Sequence, residues 1–484
     1  MKTTSASPGA SSAFGWSVLN TVLSRLGTLG IGIVLARVLG PESFGTFAVA
    51  LVALMAVLSF NELGVSLAIV RWPGDPARIV PTVNTISVAG STLFCGAAIV
   101  AAPAFTAAVG DPHATNVIRV LILSVLINGV VASPAALLQR DFREKTRLGI
   151  DQVNVWVGAL LSLVLALTGM GAMALALGRV AGSLLAAVMF LRASPLPYRF
   201  GLDRENLIPL LRFGLPLAGT SVIFFAVGYG DQLTASTVLG TTSLGYYVLA
   251  SNLANSPISL LAQPLRRVAP ATFSSLHHDR NAPRQTLIAV VSVLSCATIP
   301  PVLAIAASSE PIIQLVYGAS WLPAAPVLAW LVVAAFTKIL CDLFYDYLVV
   351  LGRSGTVFCI QAISLIVLVP SLVVGALLFG LPGLAAAQAV VTLTVVLPAY
   401  GWQLRRTGVG FSALIKSIRL PVLVGIATGV FAGFIGSAQP NILLTAAISG
   451  SAALVTSCGL LYHQRSSLLW ITNIGKTSPV EVSS

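Results

Sequence analysis

Long apolar stretches constrain the fold of this chain more than any other feature. Residues 83–105, for example, read VNTISVAGSTLFCGAAIVAAPAF and contain no charged side chain. A helix of that length, rising about 1.5 Å per residue, spans the roughly 30 Å hydrocarbon core of a bilayer. Lipid offers no partners to backbone N–H and C=O groups, so only helices and closed barrels cross it. The stretches lack the alternating pattern of barrel strands, and they therefore predict an all-α polytopic membrane protein.

The composition excludes several classes of protein. Only 9% of the residues are charged, against about 25% in soluble domains, so no large water-facing surface is available. The cysteines lie within apolar segments and lack the spacing of metal ligands, so we expect no metal site. No phosphate-binding loop and no pairing of a nucleophile with a base is present. We therefore expect neither an enzyme nor a bound cofactor, and no ATP hydrolysis on this chain.

Glycine, proline and charged clusters divide the apolar stretches into predicted membrane spans. The least distinct break, TGMGAM at 168–173, contains glycines but no charge. The fourteen predicted spans are 14–36, 44–70, 81–104, 115–138, 149–168, 170–191, 207–230, 238–262, 286–308, 324–350, 356–379, 381–403, 413–435 and 440–462.

The cations fall almost entirely on one side of this predicted topology. Of the 27 Lys and Arg residues, twenty-two lie in the loops of one side, two on the other and three within spans. The positive-inside rule therefore predicts that both termini lie in the cytoplasm. The same distribution explains the net charge of +12 without a nucleic-acid partner.

A short loop occurs twice in the sequence. VLGPESFGTFAVA at 38–50 and VLGTTSLGYYVLA at 238–250 agree at six of thirteen positions with an offset of 200 residues. Because six predicted spans separate the copies, both face the same side of the membrane. The repeat predicts two six-helix lobes of like orientation, at 1–200 and 201–405, followed by a final helix pair and cytoplasmic tail at 406–484. Parallel repeats of this kind occur in transporters whose substrate site lies between the halves.

Three stretches resemble one bacterial family. VLARVLGPESFGTFAVALVAL (34–54), SPAALLQRDFREKTRLGIDQV (133–153) and RFGLPLAGTSVIFFAVGYGDQLTASTVLGTTSLGYYVLA (212–250) are similar to Wzx-type flippases of lipid-linked oligosaccharides. That family lies within the superfamily of multidrug MATE exporters and lipid II flippases. The resemblance implies two lobes around a central cavity, alternating access, and a cell-membrane location.

Three cations fall inside predicted spans, where an ionisable group is costly and faces a cavity or a partner. Arg25 and Arg179 are candidates for binding the diphosphate of a lipid-linked glycan, since a guanidinium matches phosphate geometry. Lys338 is a third candidate. It precedes Asp342 and Asp346 at four-residue intervals on one helical stripe, so an ion pair with a purely structural role is the alternative. A structural role is also the alternative for the two arginines.

Other charged residues have two interpretations each. Asp231, at the end of span 7, and Glu62, within span 2, are candidates for coupling to protons or sodium ions, or they lie at a water boundary. Asp342 and Asp346 have either an ion-coupling or a structural role. Arg37 either anchors the duplicated turn or meets an emerging phosphate. The cluster of Arg140, Arg143, Lys145 and Arg147 either fixes topology or attracts an anionic headgroup.

The family resemblance and these charged residues together predict a flippase of the bacterial cytoplasmic (inner) membrane. Its substrate would be an undecaprenyl-diphosphate-linked oligosaccharide, of the exopolysaccharide or O-antigen type, and its partners would be membrane lipids, a polysaccharide polymerase and glycosyltransferases. A MATE-like ion-coupled drug exporter is the first alternative, although the predominantly basic intramembrane charges favour an anion. A lipid II flippase differs only in its glycan. A membrane polymerase or ligase lacks support because no large outer loop is present, and a structural scaffold does not explain mid-membrane charges.

Overall fold

The computed structural model describes residues 8–61, 65–72, 74–256, 282–439 and 441–465. About 90% of the structure is helical, and no strand occurs in these ranges, which confirms the predicted all-α class. The helices are α1 Pro8–Asn61, α2 Val65–Arg71, α3 Val80–Val109, α4 Ala114–Arg140, α5 Glu144–Leu167, α6 Ala172–Ala193, α7 Arg204–Leu239, α8 241–256, α9 Ala282–Ala307, α10 Ser309–Tyr317, α11 Ala325–Val350, α12 Ser354–Val391, α13 Leu397–Arg406, α14 Phe411–Ala438 and α15 Ile442–His463.

A glycine turns the long helix α12 into a hairpin. The apolar segment Gly355–Arg406 has 52 residues, which as one straight helix would be roughly 78 Å long, more than twice the thickness of the hydrocarbon core. Its backbone leaves the helical region at Gly380 (φ 65°, ψ −146°), at the predicted boundary between two spans. The two arms meet closely, because a Cβ at Gly383 would lie 2.2 Å from the carbonyl oxygen of Gly375.

The helical lengths make this a multi-pass membrane protein. Ten helical segments of the described chain are long and apolar enough to cross a bilayer, and one of them contains the α12 hairpin. The break at TGMGAM, predicted from glycines alone, is present: α5 ends at Leu167 and α6 begins at Ala172. The total of fourteen spans remains a prediction.

The two copies of the duplicated loop share the backbone conformation of their turn glycine. Gly40 (φ 71°, ψ 174°) and Gly240 (φ 85°, ψ 172°) adopt nearly the same angles, in a region that only glycine populates readily. The copies also touch: a Cβ at Gly45 would lie 2.2 Å from the carbonyl oxygen of Thr241. The repeated glycines are therefore required by the turn and by the contact between the loops.

The chain divides into two compact units, Met1–Gly245 and Tyr246–Ser484. In the first unit, α5 and α6 make extensive contact along a line of glycines. In the second unit, side chains of α9, α11 and α13 contribute to a buried cluster that includes Phe344 and Tyr400, whose ring centroids lie 6.5 Å apart. The lobe boundaries predicted near residues 200 and 405 remain predictions.

Candidate functional site: a polar chamber in the first unit

The first unit contains a polar chamber lined by residues of α1 to α6. It consists of two adjoining cavities of about 410 and 220 Å³, which share Asn128, Val131, Asp151 and Phe190 as lining residues. We call these two cavities together the α4–α6 chamber. Its polar lining consists of Ser66, Ser87, Ser91, Ser124, Asn128, Gln139, Arg147, Asp151, Asn154, Arg179 and Ser183.

Helical periodicity brings the charged members of this lining together. Arg147, Asp151 and Asn154 follow one another at intervals of four and three residues, so they share one face of α5. Arg179 and Ser183 are related in the same way on α6. Two stripes on neighbouring helices thus present their polar groups to the same chamber.

Glycines allow these two helices to approach closely beside the chamber. A Cβ at Gly178 would lie 2.5 Å from the carbonyl oxygen of Gly158, and one at Gly182 would lie 2.5 Å from that of Asn154. Small residues at such crossings are the usual means of helix packing in membranes. The close crossing fixes the separation of the two polar stripes.

Four polar side chains of the chamber form no hydrogen bond and no ion pair within the described part of the chain. Asn128, Asp151, Asn154 and Arg179 make neither a hydrogen bond nor an ion pair to any residue that the structure describes. The only neighbouring ion pair joins Arg147 and Glu144, at 4.0 Å, within the described ranges. Unpaired polar groups are strongly unfavourable in lipid, so these side chains are suited to a water-filled space that admits a polar ligand.

The structure describes the side chain of only one of the three charged residues predicted within spans 1, 2 and 6. Arg179 lines the α4–α6 chamber, and its role in substrate binding stays a prediction. Arg25 lies in α1, but its side chain is outside the described part of the structure, and Glu62 is outside the described residues altogether.

The predicted stripe Lys338, Asp342 and Asp346 lies on α11 in the second unit. Lys338 is exposed and forms no ion pair with any described residue, so the structural pair with Asp342 is not observed. Both aspartates are half-buried, and each interacts with other groups of the chain.

The remaining two predicted residues lie beside the duplicated loops. Asp231 is half-buried on α7, where one carboxylate oxygen accepts a hydrogen bond from the backbone N–H of Gln232 at 2.8 Å. Arg37 is exposed on α1, one turn before Gly40, and interacts with other groups. Ion coupling by Asp231 and phosphate contact by Arg37 both remain predictions.

Two of the clustered loop arginines hold helix ends. The Arg140 guanidinium donates hydrogen bonds to the carbonyl oxygens of Ile69 and Trp72, at 2.6 and 2.8 Å, and to that of Gly74 at 3.0 Å. Arg143 donates to the carbonyl of Ala193, at the end of α6, at 3.2 Å. These contacts give both residues a packing role that neither sequence interpretation included, while Arg147 belongs to the chamber.

Sequence reasoning did not identify Asn128, Asp151 or Asn154 as site residues, and it considered Arg147 only as a member of the loop cluster. Arg147 and Asp151 lie where predicted span 5 begins, and there a charge has an ordinary explanation as a loop residue. The spacing of Arg147, Asp151 and Asn154 could have identified them. Three polar residues on one face of a helix within an apolar segment indicate a face that contacts water.

Comparisons with known proteins agree with this architecture. The sequence profile described as "Polysaccharide biosynthesis protein" matches residues 34–326. The succinoglycan biosynthesis transport protein ExoT of Rhizobium meliloti (strain 1021) is 25% identical over 80% of this chain and 78% of its own length. The lipopolysaccharide biosynthesis protein WzxC of Escherichia coli (strain K12) is 23% identical over 87% of this chain and 86% of its own length.

Solved structures show the same fold. The lipid II flippase MurJ in an inward closed conformation has a TM-score of 0.75 at 15% identity, covering 92% of this chain and 98% of its own. An inward-facing MATE family transporter of the MOP superfamily has a TM-score of 0.60 at 17% identity, covering 81% and 96%. These relatives and neighbours are transporters and flippases rather than enzymes. Since the family profile matches more than half of the sequence, the chain belongs to the polysaccharide biosynthesis protein family.

Proposed function

We propose that this protein is a flippase that moves an undecaprenyl-diphosphate-linked oligosaccharide from the inner to the outer leaflet of a bacterial cytoplasmic membrane by alternating access. One observation carries the proposal: Arg179 lines a polar chamber and has no anionic partner among the described residues. A guanidinium so disposed can form a bidentate, charge-assisted contact with a phosphate. Arg25 and Lys338 are further candidates for the same charge compensation, and Arg37 for contact with the emerging phosphate.

The proposed direction has an electrical rationale. With the cytoplasm negative, each negative charge that moves outward gains about 2.3 kcal/mol per 100 mV. The membrane potential alone would therefore favour export of a diphosphate, and a coupling role for Asp231 or Glu62 is not required. In this orientation both termini lie in the cytoplasm, as the loop cations predict. The polymerase and the glycosyltransferases that handle the same glycan are proposed partners.

Substitution of Arg179 tests the proposal. A strain that lacks the chromosomal gene would receive the wild type, Arg179→Ala, Arg179→Lys or the control Arg192→Ala, at matched protein levels. Arg192 is an exposed cation near the end of the same helix and does not line the chamber. We expect Arg179→Ala to abolish surface polysaccharide, Arg179→Lys to retain part of it, and Arg192→Ala to behave as the wild type. Undiminished export by Arg179→Ala would refute the proposal.

An ion-coupled multidrug exporter is the second candidate, and one residue favours it. Asp151 places a carboxylate in the chamber, and a carboxylate is the expected contact for a cationic drug. A deletion strain with increased sensitivity to cationic drugs and normal surface polysaccharide would support this candidate instead. A lipid II flippase would move the same kind of anionic diphosphate, and depletion would then arrest peptidoglycan synthesis.

A further inference from the structure

The chamber contains a carboxylate that a diphosphate site does not need. Asp151 lies on the same face of α5 as Arg147 and lines the same small cavity as Arg179. A carboxylate accepts hydrogen bonds but donates none, and it repels phosphate oxygens. Its presence beside the two arginines therefore indicates a second ligand group that donates hydrogen bonds.

Two amides on different helices accompany this carboxylate. Asn128 lies on α4 and Asn154 on α5, and both line the 220 Å³ cavity with Asp151. Neither amide has a hydrogen-bond partner among the described residues. Each amide both donates and accepts, as a hydroxyl group does. The carboxylate, which only accepts, and the two amides, which both donate and accept, can therefore bind adjacent hydroxyl groups of a ligand.

An aromatic wall and the available space complete the pattern. Phe190 is buried, with 4% of its surface exposed, and it lines both cavities of the chamber. Its ring offers an apolar surface to the C–H groups of a ligand. The larger cavity, about 410 Å³, falls within the range of roughly 300–1,000 Å³ that is usual for small-molecule sites.

We propose that the α4–α6 chamber is a subsite for the sugar attached directly to the lipid diphosphate, and that Asp151 and Asn128 determine which sugar is accepted. Asp151 accepts hydrogen bonds from sugar hydroxyls, Asn128 and Asn154 complete the set, and Phe190 lies against the ring. This inference rests on the proposed function, in which Arg179 holds the adjacent phosphate. Sites that hydrogen-bond a hydroxyl reject ligands without it far more strongly than apolar pockets reject a missing methylene.

Binding of defined lipids to the purified full-length protein tests this subsite. The probes are undecaprenyl diphosphate and its glucosyl, galactosyl and N-acetylglucosaminyl derivatives, and native mass spectrometry in detergent measures their affinities. We expect at least one glycosyl derivative to bind about 10- to 100-fold more tightly than the bare diphosphate, the range expected for one hydrogen bond to a charged group. Asp151→Asn and Asn128→Ala should reduce this ratio towards one.

The bare diphosphate serves as the control for folding and for phosphate binding. Its affinity should be unchanged by Asn128→Ala, and unchanged or higher for Asp151→Asn because a negative charge is removed. Asp141→Asn, an exposed carboxylate outside the chamber, should leave every affinity at the wild-type value. Equal binding of all four probes to the wild type, or a glycosyl preference that survives both substitutions, would overturn the subsite. Bare-diphosphate binding that does not depend on Arg179 would instead refute the proposed function.

Discussion

The turn glycines of the duplicated loop provide a quantitative test of the repeat. Gly40 and Gly240 share φ values of 71° and 85° and ψ values of 174° and 172°. A Cβ added at either position would meet no atom within 4 Å, so substitution by alanine introduces no clash. The cost of Gly40→Ala or Gly240→Ala is therefore backbone strain alone, about 1–3 kcal/mol each.

A glycine inside α1 supplies the matched control. Gly32 is also free of atoms within 4 Å, but it lies in the helix before the kink. There alanine is favoured over glycine by roughly 0.8–1.0 kcal/mol, so Gly32→Ala should stabilise the protein slightly. The same chemical change is thus expected to differ by about 2–4 kcal/mol between turn and helix.

Thermal unfolding of the purified protein in detergent measures this difference. We expect both turn variants to lose their monodisperse peak on size-exclusion chromatography at a lower temperature than the wild type, by similar amounts. Gly32→Ala should match or exceed the wild type. If either turn variant is as stable as Gly32→Ala, the strain argument is wrong. If only one copy responds, the two turns are not equivalent.

Three further outcomes follow from individual contacts. Gly45→Ala should be more destabilising than the turn variants, because its Cβ would lie 2.2 Å from the carbonyl oxygen of Thr241 and a backbone atom cannot move aside without a large energetic cost. The same thermal unfolding assay measures this loss of stability. Arg140→Gln should loosen the end of α2, since up to three charge-assisted hydrogen bonds of roughly 1.5–3 kcal/mol each are weakened, and faster amide hydrogen exchange at residues 65–79 is the readout. Thr46→Val should cost about 1–3 kcal/mol by removing the 2.8 Å hydrogen bond to the buried Asp111 carboxylate, whereas Thr46→Ser, which keeps the hydroxyl, should lose less; equal losses would contradict this reasoning.

Much of the fold was accessible from the sequence, because the bilayer imposes simple rules. A chain with so few charges and such long apolar stretches has to form membrane helices, whatever its contacts. The positions of the helix breaks also depend on local sequence. The breaks at Gly380 and at residues 168–171 occur where glycines leave the helical region. The duplicated loop was recognisable for the same reason, since one turn requires the same glycine twice.

The composition of the site depended instead on which helices pack together. Arg179 attracted notice because a cation within an apolar segment needs an explanation, but Asp151 and Asn128 did not stand out in sequence. They become a site only because the glycines of α5 and α6 bring two polar stripes together and α4 closes the space beside them. Likewise, only tertiary contacts distinguish Arg140, which caps α2, from Arg147, which faces the chamber. Periodicity and hydropathy act along one segment, whereas a cavity and its charge balance arise from side chains that different segments contribute.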